Sequence, residues 1–316
     1  MKRKRVAVIG AGLIGQAWAL VFARAGCEVM LWDEDPSLGE PALRAIESLA
    51  TSLGEYGLIE DARDVLRAIH YAPSLERAVD GASHVQENVV EDVNVKRAVF
   101  RQLDSLAEPA VVIASSTSGI PTSRFSHDLP GRARCLVAHP ANPPYLLPVV
   151  EISGAPWTSP EAIDQAADLM RSVGQRPVIV RKEVEGFVLN RLQGAVLREA
   201  FRLVQEGYVD PDGLDTTFRD GLGLRWSFMG PFETIDLNAP GGLVDYCARY
   251  GELYRRIAQD QSSTDPWPDE LIARLQAERR DRVPAAGLGA RRLWRDRRLM
   301  ALAAHKARQS RDERED

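Results

Sequence analysis

Short apolar runs alternate with stretches of helical periodicity through the first half of the chain. Val6–Ile9, Glu28–Trp32, Ile69–Tyr71, His84–Val89, Val111–Ser115, Cys135–His139, Pro148–Ile152 and Pro177–Arg181 have strand length and strand composition. Between them, helical patterning follows Gly15 and covers Pro36–Tyr56, Glu60–Ala68, Ser74–Gly81, Val93–Leu106 and Ser159–Gly174. This alternation predicts an α/β fold whose parallel sheet is covered on both faces.

The pattern changes at Gly186, beyond which only helices are predicted. Val188–Glu206 carries Leu189, Leu192, Val196, Ala200 and Leu203 on one stripe, with Gly207 as its C-cap. Pro211–Leu222, Pro231–Leu237, Gly242–Gln259, Glu270–Arg280 and Ala290–Arg308 follow, and the tail after Gln309 reads as disordered. The expected organisation is an α/β domain over residues 1–185 and an all-α C-terminal domain over 186–316.

The first strand runs directly into Gly10-Ala-Gly12-Leu13-Ile14-Gly15 and then a helix. Gly10 suits a tight turn, Gly12 a close approach of backbone to pyrophosphate, and Gly15 close packing of helix on strand. The unpaired amides opening that helix, at Leu13 and Ile14, together with its positive dipole end, suit a phosphate group. Asp33 ends the second strand, where an acid meets the adenosine ribose and repels a 2′-phosphate. The first domain therefore reads as Rossmann-type, binding NAD in preference to NADP.

Composition narrows the partners. The 316 residues leave room for two cores, and a net charge of −5 counts against a nucleic-acid partner. Arginines from Arg279 to Arg314 are interspersed with acids, which fits a solvated helical face or a subunit contact. Three widely spaced cysteines form no metal-ligand pattern and suit a reducing, cytoplasmic setting. The basic start Met1–Arg5 leads straight into the first strand, and no stretch is apolar enough to span a bilayer, so no membrane association is expected.

Hydride transfer from an alcohol needs a base for the hydroxyl proton, and histidine titrates near working pH. His139 ends a late strand of the sheet, on the side where ligands bind, and Glu151 ends the next strand. A hairpin-like return would let the carboxylate hold one ring nitrogen and leave the other as acceptor. Ser118, in the loop after the Val111 strand, and Asn190, near the start of the first C-terminal helix, are candidates to steady the substrate oxygen. Taken alone, a strand-end histidine is more often structural than catalytic, and Ser118 is equally compatible with turn chemistry and Asn190 with helix capping.

The chain resembles the L-3-hydroxyacyl-CoA dehydrogenase superfamily through its glycine loop, Ser115-Ser-Thr-Ser118, His139-Pro-Ala-Asn142-Pro143 with Glu151, Gly186-Phe-Val-Leu-Asn190-Arg191 and Gly230-Pro231-Phe-Glu233. The resemblance implies that His139 and Glu151 are base and orienter, that Ser118 and Asn190 contact substrate, and that Glu91 and Lys96 add cofactor contacts. The segments His139–Pro148, Asp220–Pro231, Glu233–Ala239 and Arg291–Asp296 are similar to the lambda-crystallin branch. That branch implies NAD-dependent oxidation of the 3-hydroxyl of a small hydroxy acid, L-gulonate first, by a homodimer formed through the C-terminal domain. L-3-hydroxybutyrate, carnitine and a short 3-hydroxyacyl-CoA are the alternative substrates, and a non-catalytic NAD-binding crystallin the alternative class. Arg225 is the candidate contact for the free carboxylate, or else an inter-subunit residue.

Overall fold

The computed structural model describes residues 4–261 and 266–315, with side chains described to residue 309. Most of the basic Met1–Arg5 start lies outside them. Eight strands form one sheet: β1 (Arg5–Ile9), β2 (Glu28–Trp32), β3 (Ile69–Tyr71), β4 (His84–Glu87), β5 (Val112–Ser115), β6 (Cys135–Pro140), β7 (Val149–Gly154) and β8 (Arg176–Val180). Their spatial order is β3-β2-β1-β4-β5-β6-β7-β8. Seven helices intervene: α1 (Leu13–Arg24), α2 (Gly39–Glu55), α3 (Ala62–Arg67), α4 (Leu75–Val79), α5 (Val93–Leu106), α6 (Ser123–Ser126) and α7 (Pro160–Ser172).

Both faces are buried along β1, β4, β5 and β6, whereas β8 leaves Val178 and Ile179 partly exposed. Val6 and Val8 point into one core with Trp18, Phe22, Ile46 and Met170. Their neighbours Ala7 and Ile9 point into the other, with Phe100, Leu103 and Phe125. The helices begin where capping residues stand: Ser74 accepts from the Arg77 amide, Asp92 from Asn94 and Val95, and Ser159 from Ala162.

The strands pair parallel except β6 and β7, which are antiparallel, the hairpin-like return expected between His139 and Glu151. A parallel return needs a crossover of about a dozen residues or more, and the proline-rich connection after Pro140 is too short for one. The C-terminal ends of β1, β4, β5 and β6 thus lie along one edge of the sheet, carrying Ile9, Glu87, Ser115 and His139.

Beyond β8 the described chain is helical: α8 (Leu189–Gln205), α9 (Pro211–Thr216), α10 (Gly223–Trp226), α11 (Pro231–Leu237), α12 (Gly242–Asp260), α13 (Asp269–Arg282) and α14 (Leu288–Glu315). Thr217–Leu222, read from sequence as ordinary helix, is π-helical and leads into Arg225. The tail after Gln309, expected to be disordered, continues α14 to Glu315. Its alternating charges lack Gly and Pro and favour helix. The chain divides into a unit reaching Arg191 and a unit from Leu192 to Arg291, and the stretch from Arg292 onward belongs to the first. The sequence boundary at residue 186 missed this return. Met300 is buried in the first unit's core, and Leu299 packs beside it.

Candidate active site

His139 and Glu151 are direct cross-strand partners in the antiparallel β6–β7 register, so their side chains share a face. His139 Nδ1 lies 2.8 Å from Glu151 Oε2, and the two residues are 5 % and 2 % exposed. The other carboxylate oxygen accepts from the backbone amides of Val188 at 2.7 Å and Leu189 at 2.9 Å. Burial works to raise the Glu151 carboxyl, but the hydrogen bonds from His139, Leu189 and Val188 outweigh it and hold it below the ordinary carboxylate range. An ionised Glu151 can only accept, so Nδ1 is the donor of this pair, and in the neutral imidazole Nε2 is then the acceptor nitrogen. Among the described residues no side chain or amide pairs with Nε2.

The loop after β5 is held by Glu91. Its Oε1 accepts from Thr117 Oγ1 at 2.5 Å, from the Ser118 amide at 2.9 Å and from the Gly119 amide at 3.2 Å. Ser118 is exposed, and its carbonyl accepts from Asn190 Nδ2 at 2.6 Å. The structure therefore brings Ser118 and Asn190 together directly, and Asn190 follows the two amides that hold Glu151.

Family-model comparison matches residues 5–184 to the 3-hydroxyacyl-CoA dehydrogenase NAD binding domain and residues 186–281 to the C-terminal domain of the same enzymes. The chain belongs to the 3-hydroxyacyl-CoA dehydrogenase family. It is 42 % identical to lambda-crystallin of Oryctolagus cuniculus over 303 residues, covering 94 % of this chain and 95 % of that protein. It is 40 % identical to L-carnitine dehydrogenase of Oceanobacillus iheyensis over 281 residues, covering 89 % and 88 %. Among solved structures, an NAD+-dependent 5-formyl-3-hydroxy-2-methylpyridine 4-carboxylic acid 5-dehydrogenase superposes with a TM-score of 0.83 at 29 % identity, covering 95 % of this chain and 97 % of that one. The protein is accordingly an NAD-dependent oxidoreductase acting on CH–OH groups.

The glycine loop of this 3-hydroxyacyl-CoA dehydrogenase relative fits a dinucleotide. Gly10 has φ +99°, and a Cβ there would lie 2.6 Å from the Asn88 carbonyl oxygen. A Cβ on Gly15 would lie 1.8 Å from the carbonyl oxygen of Gly10. Those two glycines are required by the protein itself. A Cβ on Gly12 would meet nothing within 4 Å, so its side is open to a ligand. Gly12 supplies no side-chain cap to α1, and no acidic residue stands in the first turn beside exposed Leu13 and half-buried Ile14. The helix end is thus free for an anion. Asp33 is fixed at the end of β2: Oδ2 accepts from the Ala11 amide at 2.7 Å and Oδ1 from the Asp35 amide at 3.0 Å.

Lys96, expected at the cofactor, is 1 % exposed. Its Nζ lies 3.0 and 3.2 Å from the Glu87 oxygens and 3.5 Å from Glu91 Oε2. It reaches the site through half-exposed Glu91. Glu87, which the sequence reading did not single out, is fully buried and also accepts from Ser115 Oγ at 2.5 Å and the Val89 amide at 2.6 Å. It has no contrast in the sequence, because β4 reads His84-Val85-Gln86-Glu87 and holds a single apolar residue. Arg225 belongs to the second unit, where its Nε is buried without a hydrogen-bond partner among the described residues.

Proposed function

We propose that this protein oxidises the 3-hydroxyl of a small hydroxy acid bearing a free carboxylate, with L-gulonate converted to 3-dehydro-L-gulonate. The observation that carries this reading is the short His139–Glu151 contact, which leaves one imidazole nitrogen free to accept a proton. In this scheme His139 Nε2 takes the hydroxyl proton while Glu151 stabilises the resulting imidazolium. Bound NAD supplies the acceptor for the hydride that leaves the same carbon. Ser118 Oγ and the second amide N–H of Asn190 steady the oxygen as its bond to carbon becomes double. Asp33 holds the adenosine ribose, the loop from Gly10 to Gly15 the pyrophosphate, and Glu91 the cofactor side of the Ser118 loop. Arg225 is the residue proposed for the substrate carboxylate on its chemistry, because a guanidinium can offer a carboxylate two charge-assisted hydrogen bonds.

Replacement of His139 by Gln is expected to lower kcat about a hundredfold or more. NADH titration should show unchanged binding. Turnover near the wild-type rate in His139→Gln would remove His139 as the base. The similarity to L-carnitine dehydrogenase makes L-carnitine the second candidate, and it too is a 3-hydroxy acid. Comparing kcat/KM for L-gulonate, L-carnitine, L-3-hydroxybutyrate and 3-hydroxybutyryl-CoA separates these readings, and a preference for the thioester would overturn the free-acid assignment.

A further inference from the structure

Phe187 has a backbone that bulky residues rarely adopt. Its φ is +51°, in the left-handed region, and it follows Gly186 at φ +75°. Such a conformation is strained in a non-glycine residue and persists only where surrounding structure imposes it. Glycine would carry the same turn without strain. The phenyl ring is what glycine would lose: it is fully buried, with its centroid 5.5 Å from that of the His139 ring at an angle of 39°. The turn also aims the next two amides, Val188 and Leu189, at a single oxygen of Glu151. Gly186 itself donates to the Gly119 carbonyl, tying the same turn to the Ser118 loop.

We propose that Phe187 is a positioning residue for the oxidation, its left-handed backbone fixing Glu151 through two amides while its ring supports the His139 imidazole. This rests on the reading of His139 as the base. Both members of the pair then take their orientation from one residue, and the strain is retained because neither glycine nor an unstrained backbone serves both. Phe187 touches neither substrate nor cofactor in this scheme; it acts through His139 and Glu151.

The test compares Phe187→Leu, which removes the ring face, with Phe187→Met, which keeps more of its length and volume. Thermal melting identifies which variant is folded, and either one serves. Turnover of the preferred hydroxy acid is expected to fall about tenfold to a hundredfold with KM for NAD changed by less than about twofold. The downfield proton resonance of the His139 Nδ1–H, identified by its absence from His139→Gln, is expected to weaken or broaden. A folded variant that keeps both wild-type kcat and that resonance overturns the proposal. If His139→Gln retains turnover, the base assignment itself has failed, so the two failures are distinguishable.

Discussion

Two buried polar groups of the sheet show how single residues set its tolerance to acid. His84 is buried on β4, its Nε2 donating to Gln86 Oε1 at 3.0 Å, and burial pushes its pKa down to about 4 despite that hydrogen bond. Gln86 passes the interaction on to Ser116 Oγ at 2.7 Å, which also receives the Trp18 indole N–H at 2.9 Å. In the unfolded chain the imidazole returns to its ordinary value of 6.5. Between these two values the unfolded state binds a proton that the folded state refuses. This contribution is therefore complete above pH 6.5 and is lost as the pH falls toward 4, amounting to about 3 kcal/mol. Glu151, held below its ordinary 4.5, contributes stability with the same sign but loses it only at lower pH. Thermal melts of His84→Gln should show a smaller drop in Tm between pH 7 and pH 4 than the wild type shows; an unchanged drop would show that His84 is not the group titrating.

At the scale of elements, the first βα turn separates glycines that the protein needs from one that the ligand needs. Gly12 has φ −69° and ψ −173°, open to any residue, and room for a Cβ. Gly12→Ala should leave Tm nearly unchanged, within about 0.5 kcal/mol, while NADH titration shows weaker binding. Gly15→Ala should destabilise by about 1–3 kcal/mol or more, because the added carbon strikes the Gly10 carbonyl oxygen. Equal loss of stability in both variants would contradict the assignment of Gly12 to the cofactor. The turn was legible from the sequence because glycine spacing, strand and helix are contiguous there. The Gly186–Phe187 turn was not, since a phenylalanine carries no local sign of a left-handed backbone.

For the molecule as a whole, the helical unit carries the large exposed apolar side chains Leu224, Phe228, Phe232, Leu237 and Val244, which are 64–78 % exposed. Apolar surface of this extent suits a partner, and the proposed one is a second copy of the chain. Sedimentation velocity should return a particle of two chains, and Phe232→Asp with Val244→Asp should shift it to one; a monomeric wild type would remove the homodimer. Among the described residues no helix is long and apolar enough to cross a membrane.

The sequence by itself determined the α/β-then-α order and the glycine loop with Asp33. Both are contiguous patterns or follow from local periodicity. Glu151, read from the sequence as the end of its strand, is instead the third residue of β7. Tertiary structure decided the antiparallel register that sets His139 opposite Glu151, the burial of Lys96 against Glu87, the amides that hold the second Glu151 oxygen, and the return of the chain from Arg292 to the first core. Each depends on which distant segments meet once the sheet is assembled, and strand order and buried charge pairing leave no periodic trace along a single chain.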